Sequence, residues 1–195
     1  MPGIVGFIKD INQENSQEWI QKMAQALESE SRFQQELYAT EGFAIGRVHL
    51  GIIAANPQPV WNNAEDTALV LEGEIFNRVE LEGILKTHGE YKPSRSDAEL
   101  LLALYQLKGT DMAPLINGSF LVVIWEQKKK VCTMINDRMG LYPLYYARIG
   151  NGVSFASGIR ALVIDPQLER FPDQTALAEF LTFDHILGQR TILDS

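Results

Sequence analysis

Three acidic side chains, Glu72, Glu74 and Asp97, are candidates for a small-molecule site in this sequence. Carboxylates that meet in one pocket hold negative charge in place and would stabilise a bound ammonium group. Their arrangement predicts a site for an amino acid or an amine. The alternative interpretation is a solvated acidic rim, which needs no ligand.

Two further residues could take part in covalent chemistry. Pro2 would carry a free secondary amine once Met1 is removed, and such an amine can act as a base or form an iminium with a carbonyl. Cys132 lies in an apolar run, which favours a buried core thiol over a reactive one. No metal site is predicted, because the three histidines lack ligand spacing: His49, His88 and His185.

The composition bounds the class of protein. A chain of 195 residues with 46% hydrophobic content fits one domain with a substantial core. A formal charge of -8 argues against a nucleic-acid partner, and no apolar run is long enough to span a bilayer. A single cysteine excludes a disulfide framework within the chain and suits a reducing cytoplasm.

Local patterns predict the elements that would carry these residues. The apolar run from Gly3 to Phe7 predicts a strand that delivers the amino terminus into the body of the protein. A second strand starts at Thr67 and leads directly into Glu72. Ser96 and Glu99 form a predicted capping box at the start of a helix that Gly109 ends.

Further elements follow from the same signals. A helix is expected from an N-cap at Ser16 to about Glu30, and a strand over Gly51 to Ala54. Near the end of the chain, Asp173 caps an amphipathic helix with three apolar residues on one face: Leu177, Phe180 and Leu181.

Several of these segments resemble motifs of one family. The start MPGIVGF is similar to M-C-G-I-x-G, and EGEIFN at 72–77 is similar to N-G-E-I-Y-N, of class II glutamine amidotransferases in the asparagine synthetase branch. The segments SDAE at 96–99 and NDRMGLYPLYY at 136–146 resemble S-D-x-E and R-D-x-x-G-x-x-P-L-Y-Y. The resemblance covers residues 1–195 and implies an α+β fold, a four-layer αββα sandwich of the N-terminal-nucleophile type.

The departures from these motifs fall on the family's catalytic positions. The resemblance places the nucleophilic cysteine at Pro2, which has no thiol. It places the oxyanion-stabilising asparagine at Glu72, whose carboxylate would repel an oxyanion, beside the backbone donor Gly73. The resemblance therefore predicts a domain without a functional nucleophile or oxyanion site.

The implied substrate-binding positions are partly altered. His49 stands where the family's arginine grips the substrate carboxylate, and the H-R-G-P-D segment has no counterpart. Glu74 and Asp97 remain, and the family's equivalent of Asp97 fixes the amino group of glutamine. A capping-box carboxylate explains Asp97 equally well.

The leading hypothesis is a glutamine amidotransferase-like domain without glutaminase activity, the structural or docking part of a longer asparagine-synthetase-type enzyme that forms amides with ATP. The chain stops inside a recognisable motif near Arg190, which favours a domain of a longer protein. ATP and magnesium are expected only in the missing synthetase domain, on the same polypeptide or a separate subunit. Ligand sensing and N-terminal proline catalysis are the alternatives, and a homodimer is an open expectation.

Overall fold

The computed structural model describes residues 2–28, 32–92, 96–188 and 190–193. The described part contains nine strands: β1 Gly3–Ile8, β2 Gln34–Thr40, β3 Phe43–His49, β4 Val60–Trp61, β5 Thr67–Ile75, β6 Gly118–Glu126, β7 Val131–Asn136, β8 Tyr145–Ile149 and β9 Gly152–Ala156. It also contains four α-helices: α1 Gln13–Leu27, α2 Arg78–Thr87, α3 Asp97–Lys108 and α4 Gln174–Phe183.

The strands form two antiparallel sheets. The first sheet has the order β2-β3-β1-β9-β8, and the second has the order β4-β5-β6-β7. β1 is the central strand of the first sheet, and it pairs with β3 on one side and β9 on the other. The amino terminus therefore enters at the middle of the molecule, as the apolar run at its start predicts.

Successive side chains of a strand point to opposite faces of its sheet, and each face packs against a different layer. In β1, Ile4 faces the second sheet, whereas Val5 and Phe7 pack with α1. The buried side of α1 repeats at helical spacing through Ile20, Met23, Ala24 and Leu27. Helices α2 and α3 cover the other sheet through a separate apolar cluster. The predicted four-layer α+β sandwich is thereby confirmed.

Two of the local predictions are wrong. Gly51 to Ala54 forms bends and not a strand, with positive φ at Gly51 and Ala54. The N-cap of α1 is Asn12, whose side chain accepts from the Asn15 amide, while Ser16 is buried within the helix. The helix ends at Leu27, and both Glu30 and Met1 lie outside the described residues.

Candidate functional site

The start of β1 is fixed by close packing. Gly3 pairs with Val48 and Ile4 with Arg47, so extending that register by one residue sets the partly buried Pro2 opposite His49. The Ile4 amide donates to Ser157 Oγ at 2.9 Å. A β-carbon on Gly3 would collide with the Ser157 side chain, which explains why a residue without a side chain stands there.

Glu72 lies at the far side of the same interior, on β5. Its side chain is 4% exposed and its Oε2 accepts from Arg47 Nε at 2.7 Å. Burial raises the pKa of Glu72, and the Arg47 guanidinium opposes that rise. A carboxylate therefore occupies the implied oxyanion position, already paired with a cation from the other sheet.

Gly73 follows with a backbone that only glycine adopts readily. Its φ is +115°, and a β-carbon there would overlap the carbonyl oxygen of Ser119 on β6. Gly73 pairs with Phe120 in the ladder between β5 and β6. The conformation of the predicted oxyanion segment is thus set by the backbone of the neighbouring strand.

Arg47 is the central residue of this site, and sequence reasoning missed it. It is 1% exposed, and besides Glu72 it donates through Nη1 to Glu36 Oε2 at 3.1 Å and through Nη2 to the Ile53 carbonyl at 3.1 Å. Residues 47 and 49 lie on the same face of β3, because side chains alternate between the two faces of a strand. This alternation, applied from His49, could have identified Arg47.

His49 completes the buried cluster without a strong partner. Its Nδ1 accepts from the Gly51 amide at 3.1 Å, which leaves the proton on Nε2, 3.5 Å from Glu36 Oε2. Nε2 has no hydrogen-bond partner among the described residues. Burial and the nearby Arg47 charge lower the pKa of His49, while Glu36 opposes that shift.

Gln58 connects this cluster to the neighbouring cavity. Its amide bonds the backbone of Leu71 twice, through Nε2 to the carbonyl at 3.1 Å and through Oε1 from the N–H at 2.6 Å. Its own backbone N–H donates to Glu36 Oε1 at 3.2 Å. Both oxygens of Glu36 are therefore held inside the protein.

Asp97 lies across Gln58 from the buried cluster. It forms an ion pair with Arg78, which also donates to Glu82 at 2.9 Å. The predicted capping box of Ser96 and Glu99 is confirmed at the start of α3. A cavity of about 270 Å³ opens here, lined by Ala54, Ala55, Asn56, Gln58, Arg78, Ser96, Asp97 and Ala98.

The remaining acidic candidate, Glu74, is exposed to solvent on β5. Tyr142 lies nearby: burial raises the pKa of its hydroxyl, and the charges of Glu72 and Glu74 raise it further. Buried Asp137 holds the loop that carries Tyr142 by accepting from the backbone N–H groups of Met139 and Leu141 at 2.9 and 3.1 Å.

The three predicted carboxylates therefore have different surroundings. Glu72 and Asp97 are each paired with an arginine, and Glu74 faces solvent. In the described ranges, no group of three or more His, Cys, Asp or Glu side chains could hold a metal ion. Burial raises the pKa of Cys132 to about 12. Among the described helices, none is long and apolar enough to cross a bilayer.

Solved structures share this fold. A glutamine phosphoribosylpyrophosphate amidotransferase from B. subtilis matches 83% of this chain and 43% of its own, with a TM-score of 0.63 and 18% identity. A structure described as the allosteric regulatory enzyme of purine biosynthesis matches with a TM-score of 0.67 and 17% identity over the same shares. The fold is that of the N-terminal-nucleophile glutamine amidotransferases.

The sequence places the chain more narrowly. It belongs to the glutamine amidotransferase domain family, whose model matches residues 1–195. Asparagine synthetase 2 of Bacillus subtilis, a glutamine-hydrolyzing enzyme, is 32% identical over 129 residues, covering 66% of this chain and 17% of the relative. Glutamine-hydrolyzing asparagine synthetase B of Escherichia coli is 29% identical over 140 residues, covering 70% and 25%. The chain thus spans a quarter or less of the length of these two relatives.

Proposed function

We propose that this chain is an asparagine-synthetase-type glutamine amidotransferase domain that does not hydrolyse glutamine. The observation that carries the proposal is the buried ion pair of Arg47 and Glu72. The resemblance implies that Glu72 stands at the oxyanion position, and the ion pair supports the proposal because it holds this carboxylate in the interior. A lost oxyanion donor costs about 3–4 kcal/mol of barrier, and a negative charge in its place adds repulsion.

The nucleophile position supports the same proposal. Pro2 has neither thiol nor hydroxyl, so no acyl-enzyme can form on its side chain. The partly buried Cys132 does not replace it, since a thiol with a pKa of about 12 is almost entirely protonated at neutral pH.

The substrate clamp is occupied from within. His49 stands at the family's clamp position, and the neighbouring Arg47, whose planar donor fork would suit a carboxylate, already binds Glu72, Glu36 and the Ile53 carbonyl through its three nitrogens. Freeing it for a substrate carboxylate would leave the buried Glu72 and the partly buried Glu36 without their cationic partner. That cost disfavours binding of glutamine in the orientation that hydrolysis requires.

The domain would serve as a structural or docking part of an amide-forming enzyme. Its relatives are asparagine synthetases much longer than this chain, which supports an ATP-dependent synthetase portion on the same polypeptide or on a separate subunit. ATP and magnesium would bind in that portion. We also propose a cytoplasmic location, which the single cysteine favours.

Glutamate release from glutamine tests the proposal. We expect no release above the blank by the purified chain, with its amino terminus established by intact mass. The Pro2→Cys variant, freed of Met1, should also stay silent, because the added thiol still faces Glu72 in place of an oxyanion donor. Hydrolysis by the unaltered chain at a rate well above the blank would overturn the proposal.

A second candidate function is recognition of a small amino acid or amine. The polar cavity of about 270 Å³ beside Asp97 favours it, because this volume suits such a ligand. Asp97 would have to exchange Arg78 for the ligand's ammonium group. Thermal-shift titration with single amino acids and amines, repeated on Asp97→Asn, tests this: a shift that persists in the variant contradicts binding at Asp97.

A further inference from the structure

The carboxy-terminal helix α4 leaves most of its apolar surface uncovered. Of its residues only Ala176 is buried, whereas Leu181 is 77% and Phe183 61% exposed. Leu177 and Phe180 remain about two-fifths exposed. Within the described part of the chain, no α4 side chain joins the three apolar core clusters. We call this set, with the exposed Phe171 just before the helix, the α4 surface.

The segment after α4 folds back along the helix and fixes this surface in place. The Asp173 amide donates to the Ile192 carbonyl at 3.0 Å, and the Leu187 amide donates to Glu179 Oε2 at 3.0 Å. Pro172 and Leu193 form an isolated bridge. The α4 surface therefore belongs to a unit closed by its own hydrogen bonds.

A groove open to solvent separates this unit from the rest of the protein. The groove has a volume of about 470 Å³ and lies between Tyr145 and Ile159 on the body and Phe180 and Ile192 on the unit. Exposed apolar side chains that border an open groove indicate a surface that contacts another protein.

From these features we infer that the α4 surface is the docking site for the ATP-dependent synthetase portion, an inference that rests on the function proposed above. The two asparagine synthetases described above have three quarters or more of their length outside the matched region, so a large further portion accompanies this domain in them. An apolar surface of this kind would be buried against it.

The charges around the α4 surface disfavour a second copy of this chain as the occupant. Helix α4 has no lysine or arginine, and Asp173, Glu179 and Asp184 lie along it or at its ends. Among the described residues, two cations are near this surface: Arg190, which lies 3.3 Å from Glu179 Oε1, and Arg170, which follows Glu169 and precedes Phe171, so acidic side chains still outnumber them. Two such surfaces would meet with like charges, whereas a partner with an apolar centre and basic rim would complement it.

Hydrogen exchange on the enzyme that contains both this chain and its synthetase portion, compared with the chain alone, tests the inference. We expect amides of α4 and the returning segment to exchange at least about tenfold more slowly in the larger assembly. Leu181→Asp should weaken association of separately purified portions by about tenfold or more, since it places a charge inside the contact. Unchanged exchange over α4 would overturn the assignment.

Val79→Asp provides the matched control, because Val79 is 82% exposed on a different helix. It should change association by less than about twofold. An equal loss of association in both variants would contradict the assignment. A dimer of the chain alone, detected by sedimentation and dissociated by Leu181→Asp, would also contradict it. Glutamate release measured on the same samples separates the two proposals: hydrolysis would refute the loss of glutaminase activity, while protection of α4 would still support docking.

Discussion

Arg47 Nε on β3 lies 2.7 Å from Glu72 Oε2 on β5, so this ion pair joins the two sheets. The two residues are 25 positions apart, and both are almost fully buried. The space between the two sheets is thus bridged by buried side chains of opposite charge.

Removal of Glu72 should destabilise the fold strongly. Glu72→Ala leaves the Arg47 guanidinium buried without its closest partner, and we expect a loss of about 3–5 kcal/mol in the free energy of unfolding. Urea denaturation followed by tryptophan fluorescence measures this. Glu74→Ala is the matched control, because Glu74 is exposed two residues further along β5 and should cost within about 0.5 kcal/mol.

Replacing both members of the pair should be tolerated better than replacing one. In Arg47→Met with Glu72→Leu, no uncompensated charge remains between these two positions, so much of the lost stability should return. A double-mutant cycle with the two single variants gives the coupling energy. Additive losses in the cycle would show that the pair is not energetically coupled.

The stability of the fold should rise with pH towards about 6.5 because of His49. Its pKa is lowered in the folded protein, so the unfolded chain binds its proton more readily. The stabilisation is fully present above about 6.5, the pKa of His49 in the unfolded chain. It is lost as the pH falls towards the lower pKa of His49 in the folded protein. Urea midpoints at pH values from 5 to 8 should show this step.

His49→Asn should remove the step, since the asparagine oxygen can replace Nδ1 as acceptor for Gly51 but does not titrate. His88→Asn, at the exposed end of α2, should retain the step. A pH profile that is the same in all three proteins would contradict the role assigned to His49.

Two glycine substitutions should change the stability of the fold in opposite directions, because one glycine is required by its positive φ and the other only lowers helix propensity. Gly73→Ala should destabilise the fold by several kcal/mol, because a β-carbon would overlap the Ser119 carbonyl at a positive φ. Gly83→Ala, in α2 with open space around it, should stabilise by about 0.5–1 kcal/mol. Thermal or urea unfolding of the two variants measures the contrast.

The single cysteine should resist modification in the folded state. With a pKa of about 12 in place of 9.0, the thiolate fraction of Cys132 at pH 8 falls by about a thousandfold. Reaction with a thiol reagent should therefore be about three orders of magnitude slower in buffer than in denaturing urea. Equal rates in both conditions would show that the thiol is accessible.

Elements specified by neighbouring residues were predictable from the sequence. The capping box of Ser96 and Glu99, the N-cap Asp173 and the strand beginning at Gly3 depend on contacts within a few residues, and all three are confirmed. The overall layers followed from the ordered motifs.

Contacts between distant segments were not predictable. The apolar run at 51–54 predicts a strand, but the Ile53 carbonyl accepts from Arg47, and Gly51 and Ala54 adopt positive φ. The ion pair of Arg47 and Glu72 depends on the register of two different sheets, which no local pattern encodes. Likewise, the apolar face of α4 was predicted, but its exposure was not.

The amide of Gln58 has a consequence for the behaviour of the chain at high concentration. Beyond the short strand β4, the edge of the second sheet at Leu71 would present a free N–H and a free carbonyl, and Gln58 satisfies both with its side chain. One side chain thus takes the place of a missing strand. Without it, this edge would be open to pairing with a strand of another molecule, the first step towards insoluble aggregates.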